Sequence, residues 1–432
     1  MKDTIKYIIS FLLYGNEEAV SLVGYTSDPV EAKNYKIVIR PSENSPLVHP
    51  EKTWEDFYPE VKHVLHQRTV TADTDIISVA CFLLSRAEEM VVRERDEHGR
   101  FLARHSVLSE GNLLSIPVID EYSRWLLKRL EIPLPSPGFT EINLTHDVDT
   151  IAFYRHLRGA LGGIARGNIS QVFRSIHQLE NDPAYTFPWL CDTDSRLRSA
   201  FNTDEGNMPP VNIIYFLKAS AGKGLDYPQY SLTGKDFKHL LRYLAKYSIQ
   251  FGLHTSYAAG ANGELIKQEK GTLQNALSTI HSERSLPEGN KNYKLSTINR
   301  YHWLRSTSID NMQCLAMSGI TDDYTMGFPD HAGFRLCTTR SVRWINPKTL
   351  SLTPLTLHPL TIMDCTLSNA NYMNLTEEEA FYCSQRLIDK TLQSRGSLTL
   401  LWHNSNLEQT SYHKTLYYSL LNYMRQVYAL AK

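Results

Sequence analysis

The stretch EINLTHDVDT, residues 141–150, sets Asp147 and Asp149 one residue apart behind a run that reads as a β-strand. Two carboxylates that close together raise each other's pKa unless a cation or hydrogen bonds favour the charged forms. Strand-end acids also serve as helix caps and turn residues. The pair alone therefore decides nothing, and its weight depends on what stands at the other strand ends.

Downstream, VNIIYFL (211–217) reads as a strand, and GKDFKHLLRYLAKYS follows it with Phe237, Leu240, Leu241, Leu244 and Tyr247 on one helical stripe. IQFGLHTSY is the next strand and runs into His254, while SLTLLWHNS ends in His403. The alternation predicts βα units around a mainly parallel sheet. In such sheets the side chains at the carboxyl ends of strands converge on a shared pocket, and Asp147, Asp149, His254 and His403 all take such places. A divalent metal would relieve the conflict between the acids. One acid and a histidine would hold the ion, the second acid would take a proton from the attacking water, and a histidine opposite would protonate the leaving group. The inventory suits metal-assisted hydrolysis of an ester or amide.

The chain of 432 residues, 42% hydrophobic and 21% charged, has room for two domains. The proline-rich EIPLPSPGF (131–139) follows the helical VIDEYSRWLLKRL and marks a boundary, giving an N-terminal α/β domain over 1–135 and a larger one over 139–432. Upstream, DIISVACFLLSRAEEMVVRERD reads as a buried helix turning charged at its end, and nothing in residues 1–130 resembles a catalytic constellation. Lysines and arginines number 45 against 46 acids, so the sum gives no electrostatic reason for a nucleic-acid or anionic-membrane partner. Six scattered cysteines without a CxxC pair suggest neither a disulfide framework nor a structural zinc site, and fit a reducing, cytoplasmic compartment. The start, MKDTIKYIISFLLYGN, lacks a cleavage site and reads as a core segment. No apolar run is long enough to cross a bilayer. AGKG at 221–224 lacks P-loop spacing, which disfavours nucleotide binding.

In this order, LTHDVD, FGLHTSY, RYHWLR, GFR and LWHNS resemble the motifs of the polysaccharide deacetylase (NodB-homology) superfamily. The likeness is to its bacterial branch with an uncharacterised α/β domain in front, which the LLSRAEE to GRF region resembles. The resemblance implies a distorted (β/α) barrel with fewer strands than a TIM barrel, removing acetyl from an N- or O-acetylated glycan or glycan precursor with a divalent metal, zinc being the expected ion. It implies Asp147 as general base, Asp149 and His254 as metal ligands, His403 as general acid and Arg300 as the groove arginine that orients the catalytic acid. One departure stands out: the superfamily's H-[ST]-x-x-x-H or H-[ST]-x-x-H motif becomes HTSYAAG, with Tyr257, Ala258 and Ala259 where the second histidine belongs. Three explanations compete: His302 supplies the ligand, two side chains plus water hold the ion, or catalysis is lost and the pocket only binds sugar. The first is favoured, because a histidine beside the groove arginine is unusual without polar work. A metal-dependent hydrolase of a non-carbohydrate amide is a further alternative.

Tyr257, Trp303 and Trp402 stand beside these residues, where flat rings could stack on sugars. DDYTMGFPDHAGFRLCTT (322–339) reads as a long active-site loop with Asp323 near its start and Arg335 placed to contact a hydroxyl-rich or anionic ligand, although turn chemistry explains most of it equally well. His358 and Asp364, in TLHPLTIMDCTL, stand near another strand end, with packing as the default reading.

Overall fold

A computed structural model describes residues 1–201, 209–220, 224–226, 230–282, 295–407 and 411–431. Residues 221–223 of AGKG lie outside this set. Near the amino terminus β1 (Val23–Tyr25) and β2 (Ile37–Ile39) form a small parallel pair. A second sheet holds β3 (Glu141–Val148), β4 (Val211–Leu217), β5 (Gln250–Thr255), β6 (Leu295–Tyr301), β7 (Asp322–Met326), β8 (Val342–Asn346), β9 (Ser351–Pro359), β10 (Ile362–Met363) and β11 (Ser397–Leu401). Among the described residues its order is β10-β11-β3-β4-β5-β6-β7-β9-β8. All neighbours are parallel except β8 and β9. This is the mixed α/β architecture, with a mainly parallel sheet, that the alternation predicts.

The sheet curls into a half-barrel because one run of chain serves two partners. β9 pairs with β7, and three residues later β10 pairs with β11. Between them Leu360 N–H donates to Met326 O at 3.0 Å and Thr361 N–H to Thr399 O at 3.2 Å. With strands running the same way, their carboxyl ends share one rim. The helix Lys235–Leu244 between β4 and β5 buries Phe237, Leu240, Leu241 and Leu244, the stripe its spacing marks out.

The amino-terminal region packs directly on this sheet. Lys2–Leu12 is a helix that buries Ile8 and Leu12, and every residue of the helix Ile76–Leu84 is buried. Their side chains join Trp344 and Leu357 of the large sheet in one continuous apolar cluster. The indole of Trp344 donates to Ser85 O at 3.2 Å and that of Trp54 to Pro347 O at 2.9 Å. The buried Asp120 accepts from Thr338 Oγ1 at 2.7 Å, Thr339 N at 2.8 Å and Arg340 Nε at 3.0 Å. Breaking a buried pair of this kind from one side costs about 3–5 kcal/mol, so these contacts weld the two regions.

His358 belongs to packing, not to the cleft. Its ring stacks on Tyr324 with centroids 4.2 Å apart, and its nitrogens lie 2.8 Å from Asp322 and 3.4 Å from Glu141, the first residues of β7 and β3. Burial works against its charged form, but Asp322 and Glu141 overcome this and raise its pKa to about 9. Stability supplied by this cluster is complete below the ordinary histidine value of 6.5 and is lost as pH rises through about 9. Urea unfolding followed from about pH 6 to about pH 10 should show a loss on the order of 2–3 kcal/mol that is missing in His358→Gln. Equal pH slopes in the two proteins would refute the assignment.

Candidate metal centre

Asp147 stands near the end of β3, almost wholly buried, and its Oδ1 accepts from Arg300 Nη1 at 2.9 Å. Arg300, on β6, also donates to Thr145 Oγ1 at 2.8 Å and Tyr324 O at 3.0 Å, and its guanidinium lies 4.5 Å from the Phe216 ring centre. A planar donor fixed at this many points holds the Asp147 carboxylate in one orientation.

Next to it, Asp149, His254 and His302 converge, with one ligand atom from each lying within 4.8 Å of the others. His254 is the penultimate residue of β5, and its Nδ1 lies 2.9 Å from Arg300 O. A carbonyl only accepts, so Nδ1 carries the proton and the lone pair sits on Nε2. That Nε2 is buried without a hydrogen-bond partner, 3.5 Å from Asp149 Oδ1 and 3.6 Å from Asp147 Oδ2. His302 follows β6 directly; its Nδ1 lies 2.8 Å from Asp226 Oδ1 and its Nε2 3.2 Å from Asp149 Oδ1. Asp149 Oδ1 is likewise buried without a hydrogen-bond partner. Metal-binding histidines commonly give one ring N–H to a carbonyl or carboxylate and point the other nitrogen at the ion, and both histidines do so here. Two orphaned acceptor atoms facing each other, with a third donor beside them, fit a divalent cation. Burial disfavours the Asp149 carboxylate, but His302 and His254 hold its pKa well below the usual range. Burial likewise opposes a charged His302, and Asp149 and Asp226 outweigh it, raising the pKa.

Two residues at this end carry no mark in the motifs. Lys218, just past β4, donates to Asp226 O at 3.0 Å and lies 3.7 Å from Asp149 Oδ1. Burial depresses its pKa despite the attraction of Asp149 and Asp226. It occupies the same strand-end position as His254, so the convergence rule applies to it equally. Asp226, in the turn Gly224–Asp226, has no periodic or motif signal at all.

Across the cleft His403, two residues past β11, is gripped by Asp364. Its Nδ1 is 2.8 Å from Asp364 Oδ1 and its backbone N–H 2.8 Å from Oδ2, while Asn406 Nδ2 donates to Oδ2 at 2.9 Å. The opposite ring nitrogen, Nε2, faces Asp149 Oδ2 at 4.0 Å. Asp364 is fully buried, which alone would raise its pKa; the attraction of His403 brings it down to about 2. For His403, burial is outweighed by Asp364, and the pKa stands well above the usual histidine range.

Asp147, Asp149, Lys218, His254, His302 and His403 line a cleft of about 350 Å³ whose other walls include Trp303, Leu304, Leu401, Tyr372 and Arg100. Arg100 comes from the amino-terminal region. It pairs with Asp96 at 2.7 Å and donates to Tyr372 Oη at 3.0 Å and Trp303 O at 3.3 Å, bridging the segments that follow β10 and β6. Trp303 and Leu304 adopt left-handed backbone (φ 64° and 50°), a conformation that costs energy outside glycine. The amino-terminal region holds the segment after them: Arg305 Nε donates to His98 O at 2.9 Å and Arg86 Nη1 to Ser306 Oγ at 2.9 Å.

Three expected ligand-contacting residues stand elsewhere. Asp323 is near the amino end of β7, fully buried, accepting from Thr325 Oγ1 at 2.7 Å and Asn299 Nδ2 at 2.8 Å. Arg335 is buried against Glu89 at 2.7 Å. Trp402 has no exposed surface, and its indole donates to His413 O at 3.1 Å. All three have partners inside the fold and none lines the cleft. Tyr257 also lies off the cleft lining, its ring 4.2 Å from the Arg305 guanidinium. Trp303 lines the cleft and is 37% exposed, enough to leave an indole face open.

Residues 7–135 match the profile of a family of unknown function (DUF7033). No curated protein matches the chain. Among solved structures, a Mycobacterium smegmatis protein described as a "putative polysaccharide deacetylase" is similar at 11% identity over 68% of this chain and 88% of its own, with a TM-score of 0.41. A likeness this slight transfers nothing about activity to this chain.

If Asp226 fixes the ligating tautomer of His302, Asp226→Ala should weaken zinc binding about 10–100-fold in a chelator competition. An unchanged affinity would show that Asp226 does not set that tautomer.

Proposed function

We propose that the chain is a metal-dependent hydrolase that removes acetyl groups from an N- or O-acetylated carbohydrate, with zinc held by Asp149, His254 and His302. The observation that carries this reading is the pair of histidines anchored through Nδ1, whose Nε2 atoms meet at Asp149 Oδ1, 3.5 Å and 3.2 Å away. The motif resemblance supports the same residues for the same chemistry.

An ion held there would polarise the scissile carbonyl and make a nearby water more acidic. Asp147, pinned by Arg300, is the base that takes the proton of that water. His403, kept as an imidazolium by Asp364, carries a proton at Nε2 on the cleft side and gives it to the departing amine or hydroxyl. Trp303 offers an exposed indole face on which a sugar ring can stack, and Tyr372 and Arg100 close the wall beside it. In this reading the amino-terminal region is a wall of the substrate cleft, and the layout is a deacetylase-type barrel with a smaller region in front.

One observation favours a second reading, a sugar-binding protein without catalysis. The Lys218 ammonium lies 3.7 Å from Asp149 Oδ1 and 3.9 Å from Asp226 Oδ1, so a cation already serves both carboxylates. Acetate release from a panel of N- and O-acetylated mono- and oligosaccharides, with zinc and after chelation, separates the two. Zinc-dependent release supports the hydrolase, and sugar binding without release under either condition supports the silent form. In the active protein Asp147→Asn should lower kcat by about 10²–10⁴-fold and leave zinc affinity unchanged. Loss of metal together with activity would make Asp147 a ligand instead of a base.

A further inference from the structure

Directly after Asp149 the chain builds two short helices, Leu157–Ala165 and Ile169–His177, whose apolar stripes face outward. Leu157, Leu161 and Ile164 recur at i, i+4 and i+7 on the first helix, and they are 78%, 58% and 42% exposed. Ile169, Phe173 and Ile176 repeat the spacing on the second, at 50%, 56% and 48%. The inward side is made of small groups: Gly163 fits against Val172, where a Cβ would stand 2.5 Å from Val172 Cγ2. Six large apolar side chains on one adjoining pair of helices form the kind of contiguous patch that a soluble surface seldom leaves without purpose.

Charge says what covers it. Residues 150–179 contain four arginines and no aspartate or glutamate, although the whole chain is balanced at a net charge of −1. Arg158 and Arg174 are exposed on the same two helices as the apolar stripes, and Arg166 is exposed in the turn between them. A second copy docked face to face would bring like charges together, whereas an anionic lipid surface offers both acyl chains and negative headgroups. No described helix is long and apolar enough to cross a membrane, which leaves the interfacial mode. The hairpin is rooted at the site: Thr150 O accepts from Nδ2 of Asn404, the neighbour of His403, at 3.0 Å. Asp182 then takes the backbone N–H groups of Phe153 and Tyr154 at 2.8 Å and 2.9 Å.

We propose that residues 157–177 form a docking hairpin for an anionic membrane surface, laying Leu157, Leu161, Ile164, Ile169, Phe173 and Ile176 into the interface with arginines among the headgroups. The hairpin leaves the sheet at the end that carries the cleft, so docking holds the cleft beside the lipid. This does not depend on the hydrolase reading, because no metal or substrate enters the test.

The full chain is sedimented with vesicles of phosphatidylcholine alone and of phosphatidylcholine mixed with phosphatidylglycerol, and its self-association is followed in parallel by analytical ultracentrifugation. Binding should favour the anionic vesicles at least about tenfold and fall with added salt. It should drop at least about tenfold in the double variant Leu161→Ser, Phe173→Ser, and about fivefold for each of Arg166→Gln and Arg174→Gln. Both sets of side chains are exposed, and the arginine variants leave the apolar stripes intact. The proposal is overturned if the chain ignores anionic vesicles, if the variants bind as the natural chain does, or if neutral and anionic vesicles bind it equally. A dimer abolished by the double variant, without vesicle binding, would give the face to a second copy.

Discussion

The carboxylate of Asp149 is the constraint around which the rim of the sheet is organised. It meets two imidazole Nε2 atoms at 3.5 Å and 3.2 Å and a lysine ammonium at 3.7 Å, and its Oδ1 has no hydrogen bond of its own. A partly buried acid in that position needs positive charge nearby; the Lys218 ammonium supplies one, and the other groups around it are held in fixed orientations. Arg300 illustrates this, because it performs two tasks at once. Its guanidinium fixes Asp147 and its carbonyl oxygen fixes the tautomer of His254. Asp226 does for His302 what that carbonyl does for His254, and Asp364 anchors His403 from the far side.

That arrangement depends on parts of the chain far apart in sequence. The curl of the sheet, produced where the run from β9 to β10 changes partners, brings the ends of β3, β5, β6 and β11 within reach of one cleft. The amino-terminal region then acts on the segment after β6, through Arg86, His98 and Arg100, just where His302 and Trp303 must be held. Left-handed backbone at Trp303 and Leu304 is strain that these contacts offset.

Much of the rim is legible in the amino-acid sequence. Parallel strands send their final side chains to one end of the sheet, so strand patterns alone place Asp147, Asp149, His254 and His403 together. Lys218 obeys the same rule, but a lysine after a strand is unremarkable as a residue type and draws no notice. Trp402 fails for a simple geometric reason: neighbours in extended chain face opposite sides, so it turns into the core as His403 turns toward the cleft. Asp323 sits near the amino end of β7, the wrong end of the sheet. Arg335 meets Glu89 across 246 residues of sequence, and Arg100 reaches Trp303 and Tyr372 across 203 and 272; no local pattern encodes such contacts. The outward face of the 157–177 hairpin is visible as helical spacing, but spacing cannot say which side faces in.

Diffraction from crystals grown with zinc and measured at the zinc absorption edge decides whether Asp149, His254 and His302 hold a metal. A bound ion gives one strong anomalous peak bonded to Asp149 Oδ1 and to Nε2 of His254 and His302, at about 2.0–2.2 Å from each. No peak in that triangle, with the Lys218 ammonium drawn against Asp149 instead, would contradict the metal assignment.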